Sequence, residues 1–89
     1  MSTALPTEIH MQVDVLYNGR THGFVYHADE HVLTLLEQAR REFGVVTNPH
    51  LLGLFNLTGQ ELADGQSLAD AGVKAGDELI LRPSVIRGG

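Results

Sequence analysis

The sequence predicts an α+β fold, a mixed sheet of four to five strands with one main helix packed across one face. Three observations carry this. Apolar and polar residues alternate from Met11 to Val15, the two-residue period of a half-buried strand, and Glu78-Leu79-Ile80-Leu81 reads as the final strand. Asn18-Gly19 follows the first of these runs, and both residues tolerate the positive φ of a two-residue hairpin. Val32, Leu35, Leu36, Ala39 and Phe43 recur at steps of three and four, the period of a helix with one apolar stripe.

Each element follows from its residues in turn. Residues 1–8 carry Ser, Thr and Pro with little apolar weight and are expected to form a flexible leader. Met11, Val13 and Val15 share one face of the first strand. After the Asn18-Gly19 turn the chain returns over His22 to Tyr26, with Phe24 and Tyr26 inward and Val25 outward. Asp29 stands where a helix N-cap belongs, and Glu30 suits the positive end of the helix dipole. Gly44 occupies the left-handed position that ends helices. Asn48-Pro49 marks a loop, and Leu51 to Leu57 reads as a buried third strand whose register Gly53 leaves open. Glu61-Leu62 is expected as a short fourth strand between the turns at 58–60 and 64–65. Ser67 caps a helical turn that Gly72 closes. Ala75-Gly76-Asp77 turns into the last strand, with Leu79 and Leu81 inward. Pro83 lacks a ladder donor and is expected to release the chain from the sheet. The expected organisation is a leader over 1–8, one domain over 9–82 and an extended tail over 83–89. Hairpin, helix, strands, turn and last strand, with the last strand beside the first and parallel to it, make a β-grasp.

Size and charge narrow the function. A chain of 89 residues buries only about 60% of its extended surface, enough for one small core. The net charge of −5 argues against a nucleic-acid surface. The absence of cysteine removes both disulfides and a thiol nucleophile. No apolar run approaches the roughly 18 residues of a membrane span, and the N-terminus lacks the order of a secretion signal. A cytoplasmic monomer that binds neither nucleic acid nor membrane is expected. The histidines at 10, 22, 27, 31 and 50 meet no cysteine or carboxylate at zinc-like spacing, so no metal is expected. Asp64 and Asp70 suit turn and capping chemistry better than acid–base work.

From Met11 to Gly89 the chain resembles ubiquitin and its relatives. Met11-Gln-Val-x-Val is similar to the opening strand. Leu62-Ala-Asp-Gly-Gln-Ser-Leu-Ala-Asp is similar to the ubiquitin segment L-x-D-G-x-T-L-x-D, with Ser67 in place of Thr, and Arg87-Gly88-Gly89 matches the terminus. The chain also departs from ubiquitin. Lys74 is its one lysine, so branching through lysine is nearly excluded. Asn18, Asn56 and Arg82 replace the apolar patch, and Leu16, Leu54 and Ile80 are expected to form a different outer patch. These departures fit the bacterial ubiquitin-like modifiers, encoded beside an activating enzyme, a conjugating-type enzyme and a deconjugating metalloprotease in operons linked to phage defence.

That resemblance implies a mechanism in which the protein is no enzyme but an acyl donor. Gly88 and Gly89 lack side chains and pass a narrow channel that a β-carbon would block. The Gly89 carboxylate is adenylated by the activating enzyme, which consumes ATP while this chain holds no cofactor. The acyl group then passes to target proteins. Arg87 and Arg82 are expected to contact acidic grooves on these partners. A second resemblance keeps an alternative open. Gly76 to Pro83, Val85 and the diglycine look like the last strand and tail of sulfur carriers for thiamine or molybdopterin synthesis, which form a C-terminal thiocarboxylate. A third reading is a non-covalent β-grasp interaction module.

Overall fold

The computed structural model describes residues 11–45 and 51–85, and the expected leader over 1–8, the Asn48-Pro49 loop and the terminal Arg87-Gly88-Gly89 lie outside them. Four strands and one helix form in the expected order: β1 Met11–Tyr17, β2 Arg20–Tyr26, α1 Val32–Glu42, β3 Leu52–Phe55 and β4 Glu78–Pro83. The sheet order is β2-β1-β4-β3. β1 is antiparallel to β2 and parallel to β4, and β3 is antiparallel to β4. This is the mixed sheet of a β-grasp, with its first and last strands side by side at the centre.

Strand alternation sorts the side chains onto two faces. The inner face presents Val13, Val15, Phe24, Tyr26, Leu52, Leu54, Leu79 and Leu81 to Val32, Leu35, Leu36 and Ala39 of α1, while Leu62, Leu68 and Val73 complete the core. Asn18 and Gly19 both have positive φ, as a two-residue hairpin between right-twisted strands requires. α1 ends as its sequence implies. Gly44 has φ +67° and donates to the Arg41 carbonyl, while the Val45 N–H reaches the Arg40 carbonyl, so two orphan carbonyls are satisfied.

Three local expectations are corrected. Asp29 does not cap the helix: the N-cap residue is His31, and no side chain bonds the first turn. The free N–H groups of Val32 and Leu33 instead donate to the carbonyls of Gln66 and Asp64. In return, Leu68 and Ala69 donate to the carbonyls of Glu30 and Ala28. A loop distant in sequence therefore does the work of a cap, which local propensity cannot reveal. The fourth strand at Glu61-Leu62 shrinks to a single bridge between Glu61 and Phe55, with the Leu62 N–H on the Leu54 carbonyl.

Pro83 does not release the chain. It pairs with Leu52 inside β4, and the Ser84 N–H continues to the Leu51 carbonyl at 2.7 Å. Ladder donors alternate between the two edges of a strand. Because Ser84 points its N–H at β3, the donor that Pro83 lacks would face the opposite edge. Pairing with β1 has already ended there at Leu16 and Ile80, so the proline removes no ladder bond.

Candidate functional site

The candidate site is the outer face of the sheet where β4 runs out toward the C-terminus. Cα pairing aligns Thr21, Leu16, Ile80 and Phe55 in one row across all four strands. Leu16 and Ile80 are half-buried and belong to this face, as the sequence suggests. Leu54 does not. It is fully buried on the inner face among the core leucines, and its neighbour Phe55 takes the outer place. A strand has period two, so an error of one residue in register moves a side chain to the opposite face. Gly53, which carries no side chain to reveal its face, is why the sequence leaves that register open.

Phe55 is buried as deeply as the core residues although it lies on the opposite face. The guanidinium of Arg82 stacks over its ring, 4.1 Å from the centroid. Arg82, expected as a partner contact, thus also shields an aromatic ring, with its charged group still exposed. Asn56, expected at a patch position, is instead committed to its own loop. Its side-chain oxygen accepts from the Thr58 N–H, the Thr58 hydroxyl and the Gln60 N–H. On the other side of the row Asp14 and Glu78 are direct neighbours on parallel strands, which gives this part of the face a negative edge.

The root of the tail is held by a group that the sequence reading missed. The Glu61 carboxylate accepts a hydrogen bond from the Ser84 hydroxyl at 2.6 Å and another from the Val85 N–H at 2.9 Å. Ser84 is 6% exposed and is the one polar residue buried among the described residues. To reach it, the Glu61 carboxylate lies where a Cβ on Gly53 would stand. A glycine interrupting an apolar strand is a signal of close approach by another group. It is the sequence feature that points to this contact, though not to its partner. Arg87, Gly88 and Gly89 lie outside the described residues. Among the described residues no group of three His, Asp or Glu side chains is placed to hold a metal ion. No helix among them is long and apolar enough to cross a membrane.

Comparison with solved structures places this geometry in the ubiquitin-like β-grasp fold. The chain is similar to a de novo protein designed on the basis of ubiquitin, with TM-score 0.75 and 22% identity over 90% of this chain and 95% of that one. It is similar to the ubiquitin of Caldiarchaeum subterraneum, with TM-score 0.72 and 20% identity over 89% and 99% of the two chains. It is also similar to the ubiquitin-like domain of Plasmodium falciparum Dsk2, with TM-score 0.74 and 21% identity over 85% and 100%. No family model and no curated protein sequence matches the chain.

Proposed function

We propose that the chain is a prokaryotic ubiquitin-like modifier, adenylated at the Gly89 carboxylate by an activating enzyme and conjugated to target proteins in the cytoplasm. The observation that carries this reading is a ubiquitin-like fold whose last strand, β4, is followed in sequence by Arg87-Gly88-Gly89. In this reading the folded body supplies binding energy remote from the reacting carbon, and that energy positions the terminus. A conjugating-type enzyme and a deconjugating metalloprotease are the further partners, and phage defence is the setting. Leu16, Ile80 and the exposed end of Arg82 offer these enzymes an apolar and basic contact beside the tail. Arg87 offers a charged fork next to the diglycine.

Incubation with ATP and the enzymes encoded beside the gene tests the reading. Covalent adducts on other proteins that disappear in Gly89→Glu are the expected result. Replacement of one terminal oxygen by sulfur, read by intact mass, would assign a sulfur carrier instead. Neither product would leave a non-covalent interaction module.

A further inference from the structure

We propose that Glu61 is a positioning residue for the C-terminal arm, seating Ser84 and Val85 on the sheet. Three features converge on this. The carboxylate makes two bonds to consecutive residues at the arm's root, at 2.6 Å to the Ser84 hydroxyl and 2.9 Å to the Val85 N–H. An ionised acceptor makes such bonds stronger than neutral ones. The Ser84 N–H is meanwhile fixed to the Leu51 carbonyl, so both polar groups of this residue are engaged and its side chain is buried. Finally, Gly53 leaves open the space that the carboxylate crosses. Glu61 comes from a segment joined to β3 by the Phe55 bridge, so the arm is held from a neighbouring element rather than by its own strand.

The seat changes what a partner meets. An arm released at Pro83 would span about 23–25 Å over seven residues at about 3.3–3.6 Å each. From Val85, Gly89 is four residues on, a span of at most about 13–14 Å. An enzyme that draws in Gly89 must therefore place its channel close to the outer face near Arg82, or open the seat first. This last consequence rests on the proposed role of Gly89, whereas the seat itself does not.

Trypsin tests the seat without any cognate enzyme or ATP. A protease holds the residues before the scissile bond in extended form, so cutting after Arg87 must draw Val85 and Ser84 off the sheet. Loss of the terminal glycine pair is followed by intact mass. Glu61→Ala removes the acceptor, and Gly53→Ala displaces it without removing its charge. Both variants are expected to lose the pair about tenfold faster than the unmodified protein, the change that about two lost hydrogen bonds produce. Glu61→Gln can still accept from the Val85 N–H but without the charge, and is expected to lose the pair at a rate between those of the unmodified protein and Glu61→Ala. Cleavage after Arg41, within α1, serves as the control for unfolding. Equal rates at Arg87 in the unmodified protein and in Glu61→Ala would overturn the proposal. The unmodified protein gives a second readout: the Val85 amide is expected to exchange with solvent about tenfold more slowly than its unfolded rate. Exchange at the unfolded rate overturns the proposal even if the variants fail to fold. Failure of conjugation would leave these results untouched, so the two readings fail separately.

Discussion

Tyr26 shows how one buried atom sets a pH dependence. Its side chain is almost wholly buried, and its hydroxyl has no hydrogen-bond partner among the described residues. Burial, with a smaller contribution from the Asp77 carboxylate, pushes this hydroxyl above the usual tyrosine range. The folded state thus holds the proton more tightly than the unfolded chain does. The resulting contribution to stability is fully present below about pH 10 and is lost as pH rises through the folded value. Tyr26→Phe is expected to flatten the alkaline limb of a stability–pH curve measured by urea unfolding. At pH 7 it is expected to be neutral or slightly stabilising, because it removes a buried donor left unmade. An unchanged alkaline limb would show that another group controls it. Leu79 supplies the complementary apolar case. It is 1% exposed at the centre of the sheet, and Leu79→Ala is expected to cost about 2–5 kcal/mol in the same measurement.

At the scale of elements, the two ends of α1 differ in what their sequence reveals. The C-terminal end is a local motif: Gly44 and the bonds from Gly44 and Val45 lie within a few residues of each other, and Gly44 was readable as a left-handed cap. The N-terminal end is a tertiary contact with the carbonyls of Asp64 and Gln66, which the local signal of Asp29 does not reveal. A paired substitution separates them. Asp29→Ala is expected to change stability by less than about 0.5 kcal/mol, since no cap is lost. Gly44→Ala is expected to cost about 1 kcal/mol or more, because its φ is positive. Thermal unfolding of both variants checks this, and a loss of about 1 kcal/mol in Asp29→Ala would restore the side-chain cap. The strands divide in the same way. β1 carries clear alternation, and the inward residues expected of β1, β2 and β4 lie on the inner face. β3 is four residues long with Gly53 inside it, too short and too uniformly apolar to show which residue faces out, so Leu54 was placed on the face that Phe55 occupies. The seat made by Glu61 was hidden for a related reason. Its partners, Ser84 and Val85, are more than twenty residues away, and only the gap at Gly53 marks the place.

For the whole molecule, the β-grasp was legible because hairpin, helix and terminal strand each carry their own local signal and few packings accommodate that order. The outer face was only partly legible, since it depends on register and on contacts across the sheet. Together they describe a packed inner face, an outer face with Asp14 and Glu78 on one side and Arg82 on the other, and a chain seated by Glu61 up to Val85. The proposed role, presenting one carboxylate to other enzymes, asks for no catalytic group in this body. The most direct test is to express the chain with an N-terminal tag in its native host, then purify it under denaturing conditions, digest it with trypsin and analyse the peptides by mass spectrometry. Trypsin cuts after Arg87, so a conjugated protein is expected to retain a Gly88-Gly89 remnant on the acceptor side chain, and Gly89→Glu is expected to abolish the modified peptides. Recovery of the unmodified chain alone, with no remnant on any peptide under conditions where the neighbouring enzymes are expressed, would contradict the account.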